Sequence, residues 1–151
     1  MAAGKLGRVN RSAACSGPND PPLLAVDAVT LAVPDLDVGI AFYRDRLGHE
    51  LKWRNDELGQ AGLACASADT EIVLCTRLPS EPTWLVSDAA EAGERIRAAG
   101  GRIISPATDI PVGHVVVAED PFGNRLVLVD LAKGRYRTDD AGAVIGVSPE
   151  R

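Results

Sequence analysis

The sequence predicts an α+β domain in which a βαβββ module occurs twice, forming a curled mixed β-sheet cleft with helices on the outside. Three observations carry this expectation. Two helical segments open on acidic N-caps and stop at glycines at nearly the same spacing, Asp35 to Gly48 and Asp88 to Gly100. Each follows a short strand-like run and precedes three more. Glu71-Ile-Val-Leu74 is echoed by Arg125-Leu-Val-Leu128 near the end of the second copy. The modules span about 25–78 and 79–132, and repeats of this kind combine because neither buries its sheet alone.

Taken in order, residues 1–22 lack periodicity and are rich in Gly, Ala, Ser, Asn and Pro, which predicts a flexible tail. Val26–Val33 alternates and is β-branched, a strand. Asp35 caps the first helix, whose stripe is read as Val38, Ala41, Phe42 and Asp45, with Tyr43 offset toward an edge or an interface. Strands follow at His49–Asn55, Gly62–Ser67 and Glu71–Arg77. In the second copy Thr83–Val86 precedes a helix with Asp88 and Glu91 at capping-box spacing and Ala92, Ile96 and Ala99 on its buried stripe. Arg102–Ser105, His114–Ala118 and Arg125–Val129 supply the last strands, the final two joined through the turn chemistry of Asp120-Pro-Phe-Gly-Asn124. Pro106–Gly113 reads as an irregular loop, either a lid over the cleft mouth or a simple connector. Residues 133–151 read as a second flexible tail.

With 46% apolar and 25% charged residues, the composition is that of a globular protein. The net charge of −5 is concentrated in residues 23–132, where nine basic residues face seventeen acidic ones. An acidic body opposes nucleic-acid binding, which rests on neutralising phosphates. No apolar run approaches the ~20 residues that span a bilayer. The basic N-terminal segment lacks the apolar core of a secretory signal, and Cys15, Cys65 and Cys75 have no metal-binding spacing. The expectation is a cytoplasmic protein with reduced thiols.

Val29-Thr-Leu-Ala-Val-Pro-Asp-Leu-Asp37, Ala41-Phe-Tyr-Arg-Asp-Arg-Leu-Gly48, Ala98-Ala-Gly-Gly101 and Asp120-Pro-Phe-Gly-Asn124 occur in order along the chain. Together they resemble the vicinal oxygen chelate superfamily, which contains glyoxalase I, bleomycin-resistance proteins and extradiol dioxygenases. The resemblance covers about 23–132. It implies a divalent metal at the mouth of the cleft, held by His, Glu or Gln early on the first strand and on the fourth strand of each module. Those places hold Ala28, Val73, Glu81 and Val127 here. Only Glu81 offers a lone pair, so no family-type metal centre and no other cofactor is expected.

If Ala28 faces the cleft, strand alternation places Thr30, Val73, Cys75, Glu81, Thr83, Leu85, Val127 and Val129 there too, and packs Trp84 under the helices. His114 falls on the cleft side by the same count, either as a general base or as a rim histidine with a structural hydrogen bond. Glu81 is either a remnant ligand, an acid/base or an anchor for a cationic group, or an exposed linker residue. Trp53 is either an aromatic wall for a flat ligand or a core residue. Cys65 and Cys75 read as buried packing residues, and His49 as a charge suited to a helix C-terminus. Thr30, Trp53, Cys75, Glu81 and His114 are thus the candidate ligand-binding residues, with Glu81 and His114 the catalytic candidates.

Two readings of function stay open. One is a metal-free protein that holds a small organic molecule, cationic or aromatic, in an apolar cleft, as the bleomycin-resistance branch does. The other is a glyoxalase-like lyase or isomerase, or a dioxygenase, that uses Glu81 and His114 and therefore needs them close together. A cleft filled by its own side chains is the plainer alternative. Exposed sheet edges make a homodimer the expected assembly.

Overall fold

The computed structural model describes residues 20–149. Most of the expected N-terminal tail, and Cys15 with it, lies outside the described residues. The first module comprises β1 (Ala25–Ala32), α1 (Leu36–Ile40), β2 (Leu51–Asn55), β3 (Gln60–Ala64) and β4 (Glu71–Cys75). The second comprises β5 (Glu81–Leu85), α2 (Ala89–Ala98), β6 (Arg102–Ile110), β7 (Gly113–Glu119) and β8 (Arg125–Asp130). Two βαβββ modules are therefore present, and their strands join in one mixed sheet of order β2-β3-β4-β1-β5-β8-β7-β6.

The seam is the antiparallel pair β1–β5, in which Val29 lies opposite Pro82, Ala28 opposite Thr83 and Thr30 opposite Glu81. This register is symmetric about Val29 and Pro82, as two copies of one module require. Each first strand then runs parallel to the fourth strand of its own module, with Thr30 beside Val73 and Thr83 beside Val127. Alternation gives the sheet two faces. One carries Leu31, Leu63 and Leu74 against α1, and Trp84, Val116 and Leu128 against α2. The other is the cleft face.

The helices begin where their caps direct. Asp35 Oδ1 accepts from Val38 N at 3.0 Å and Asp88 Oδ1 from Glu91 N at 2.9 Å. The expected stripe of the first helix is displaced, however. Leu36, Gly39 and Ile40 are buried and Tyr43 packs beside them, whereas Val38 and Phe42 are exposed. The cause is Gly39: a Cβ there would lie 3.1 Å from both Val33 and Leu74, so the bare glycine backbone is the docking surface. Beyond Ile40 the helix widens into a π-helical turn, Ala41–Arg46, closed by a bond from Leu47 N to Phe42 O at 3.1 Å.

Two further expectations give way. The segment Pro106–Gly113 is not an irregular lid, because β6 continues through it to Ile110. A proline is tolerated there because β6 is an edge strand, and register shifts on both sides of Ser105 absorb the missing donor. The C-terminal segment also contains structure: β9 (Arg135–Thr138) and β10 (Val144–Ser148) form an antiparallel hairpin. Its turn repeats that of Asp120–Asn124. Asp120 Oδ1 accepts from the amides of Phe122 and Asn124, and Asp139 Oδ1 from those of Ala141 and Ala143. A glycine with positive φ, Gly123 or Gly142, completes each turn. The hairpin leans on β2, where Arg54 N donates to Gly142 O at 2.9 Å.

Candidate functional site

The hairpin closes the cleft face of the first module. Ala28, Trp53 and Val73 form a buried cluster there, and Tyr136 and Val144 pack on it from β9 and β10. Trp53 lies flat across β3 because its neighbour is Gly62, where any Cβ would collide with the indole. From that position its Nε1–H donates to Glu71 Oε2 at 2.7 Å. The Tyr136 ring rests 4.8 Å from the indole, centroid to centroid, tilted by 49°. Burial pushes the Tyr136 hydroxyl above the usual tyrosine range, opposed by its hydrogen bond with Asn55 and reinforced by the Glu71 charge.

Beside this cluster lies a cavity of about 850 Å³, with Trp53, Glu71, Tyr136, His49, Lys52 and Arg135 among its walls. That volume suits a ligand of ordinary metabolite or drug size. His49 reaches it because the π-helical turn delivers the chain through Gly48, and His49 N bonds to Tyr43 O at 3.0 Å. Its Nδ1 is 3.0 Å from Ala64 O. A carbonyl only accepts, so Nδ1 carries the proton and Nε2 is the other available nitrogen.

The residues expected to form the site are dispersed. Of Thr30, Trp53, Cys75, Glu81 and His114, only Trp53 lines the cavity. Thr30 and Cys75 are buried, and Cys75 Sγ accepts from Arg77 N at 3.4 Å. Glu81 stands on the cleft face but is held by Arg125 Nε at 3.1 Å. His114 is on the opposite face from the one expected. The register sets it against Asp130, on the side where Val116 and Leu128 meet α2. Asp130 is nearly inaccessible, and its carboxylate accepts from Ala89 N at 2.9 Å, His114 N at 3.0 Å and Ala132 N at 3.2 Å. His114 Nδ1 is 3.1 Å from Asp130 and Nε2 is 3.2 Å from Asp109, so each ring nitrogen is engaged by a carboxylate. The arrangement ties α2 to the ends of β7 and β8. Glu81 is level with Arg125 and His114 with Asp130, so roughly 16 Å of β8 separates the two levels. They do not converge.

The metal implied by the resemblance does not fit this chain. Ala28, Val73 and Val127 offer no lone pair, and the Glu81 carboxylate is engaged by Arg125. Among the described residues no group of three or more His, Cys, Asp or Glu side chains could hold a metal ion.

Sequence reasoning passed over Glu71 and Tyr136, and read His49 as a helix C-terminal charge rather than as a cavity residue. Glu71 precedes Val73 by two residues and so shares its face, a signal present in the strand pattern. Tyr136 was hidden by reading its segment as a tail.

The comparisons with known proteins agree with this architecture. A family model described as Glyoxalase/Bleomycin resistance protein/Dioxygenase superfamily matches residues 25–128. Comparison with curated proteins finds no match. Methylmalonyl-CoA epimerase from Mycobacterium tuberculosis is 26% identical, with a TM-score of 0.61 over 81% of this chain and 95% of that one. A variant methylmalonyl-CoA epimerase from Streptomyces coelicolor, in complex with 2-nitronate-propionyl-CoA, is 20% identical, with a TM-score of 0.57 over 72% of this chain and 94% of that one. A hypothetical protein from Bacillus halodurans C-125 is 13% identical, with a TM-score of 0.55 over 77% and 98%. The repeat, the sheet order and the family match together place this chain in the Glyoxalase/Bleomycin resistance protein/Dioxygenase superfamily.

Proposed function

We propose that the protein binds a small organic molecule, without a family-type metal, in the cavity between the first module and the C-terminal hairpin. The observation that carries this reading is the floor of the site. Two of the family's ligand positions, Ala28 and Val73, lie within an apolar cluster under Trp53 and Tyr136, beside a cavity of about 850 Å³. The apolar floor would recognise shape and apolar area, and the charged side chains of the walls would fix orientation.

Trp53 is a built-in reporter, since the second tryptophan, Trp84, packs under α2. A screen of small organic compounds by tryptophan fluorescence is expected to find ligands whose signal disappears in Trp53→Phe. Ligand signals that persist unchanged in that variant would contradict the reading.

The likeness to methylmalonyl-CoA epimerase favours a second reading, an isomerase-type enzyme acting on an acyl thioester. Glu81 and His114 do not support it as a pair, because they are far apart and otherwise engaged. Incubation with methylmalonyl-CoA in deuterium oxide is expected to give no exchange above background. Exchange that depends on Glu71 would put the isomerase first.

A further inference from the structure

We infer that the ligand of this cavity carries a positively charged group, such as a protonated amine, that pairs with Glu71. The inference rests on the cavity being a ligand site, as proposed above. Glu71 is a half-buried carboxylate in the cavity wall, and its Oε2 is occupied by the Trp53 indole N–H. Among the described residues Glu71 has no cationic partner. The lining as a whole holds five Asp or Glu residues against three Lys or Arg. Arg44 is already engaged by Asp45 at 2.8 Å, and Arg135 has an interaction of its own.

The second module shows how the sheet balances such a charge internally. The positions corresponding to Ala28 and Glu71 there are Glu81 and Arg125, which neutralise each other. In the first module the carboxylate faces alanine, so the balancing charge is left for the ligand to bring. A partly desolvated carboxylate without a counter-ion is costly, and a bound cation offsets that cost. The neighbouring Tyr136 ring adds a face on which a cation is attracted. An anionic ligand at the same point would meet like charge.

Benzylamine, benzyl alcohol and benzoate share one ring and differ in charge, which makes them suitable probes for calorimetric titration. Benzylamine is expected to bind more tightly than either of the others. Glu71→Gln, whose amide oxygen still accepts the Trp53 N–H, is expected to weaken benzylamine by about tenfold to a hundredfold. Benzyl alcohol binding should change less than about twofold in that variant, because a neutral hydroxyl draws little from the lost charge. Glu71→Asp keeps the charge and should keep the amine preference, so it serves if Glu71→Gln fails to fold. Equal binding of amine and alcohol, unchanged in Glu71→Gln, would overturn the cation and leave the cavity reading standing. Tighter binding of benzoate would overturn it in the same way. Failure of all three to bind would overturn both.

Discussion

In the first module the sheet register sets Ala28 beside Glu71, while the corresponding residues of the second module, Glu81 and Arg125, pair at 3.1 Å. The same strands and the same cleft face thus carry an open carboxylate in one copy and a closed ion pair in the other. The difference extends outward. Beside Glu71 the β9–β10 hairpin packs Tyr136 and Val144 on the apolar cluster, and Tyr136 also lines the cavity. The second module invests its buried polar chemistry on the opposite face, where Asp130 holds His114 and the start of α2. A duplicated scaffold keeps its hydrophobic register and divides its polar groups, one copy toward the cavity and the other toward internal attachment.

The largest effect is expected on the attachment side. Asp130→Ala strands the amides of Ala89, His114 and Ala132, and should cost about 3 kcal/mol in denaturant unfolding. On the cavity side Gly62→Ala forces a Cβ into the Trp53 indole and should cost about 2 kcal/mol, with a change in near-UV circular dichroism. A normal near-UV spectrum in that variant would mean that Trp53 does not lie where described. Arg125→Ala, which makes the second module resemble the first, should move stability by no more than about 0.5 kcal/mol, because the guanidinium is half exposed.

The alkaline limb of stability sharpens the same comparison. Tyr136 titrates above its unfolded value, so the native state retains its proton where the unfolded chain has lost it. Its contribution is full below the unfolded pKa of about 10 and declines as pH rises from there through the folded value. Tyr136→Phe should therefore flatten the fall in unfolding midpoint at alkaline pH. An unchanged slope would place Tyr136 outside the buried cluster.

Much of the fold was legible because alternation and caps are local signals. The strand periodicity, Asp35, Asp88 and the repeat spacing each described a structure that forms as expected. The failures have tertiary causes. The stripe of the first helix is set by the close approach of Gly39 to Val33 and Leu74, which no helical wheel displays. The strand continuing past Pro106 depends on β6 being an edge. The hairpin was visible in principle, since Asp139-Asp-Ala-Gly-Ala143 repeats the Asp-x-x-Gly turn of Asp120–Asn124, but its short strands carry little periodicity. At the site, Glu71 was concealed because attention to the ligand positions favoured Val73, its neighbour on the same face. His114 was assigned to the wrong face because its parity depends on the pairing of β7 with β8, which sets it opposite Asp130 and which alternation within a single strand does not reveal.

The central claim is that this chain has exchanged the superfamily's metal centre for an organic-ligand cavity. Calorimetric titration of the chelator-treated protein with Mn²⁺, Co²⁺, Ni²⁺, Zn²⁺ and anaerobic Fe²⁺ tests it most directly. The account predicts no saturable binding by any of the five. Stoichiometric binding of one metal, abolished by Glu81→Ala, would show that a metal centre assembles around Glu81 after all and would contradict it.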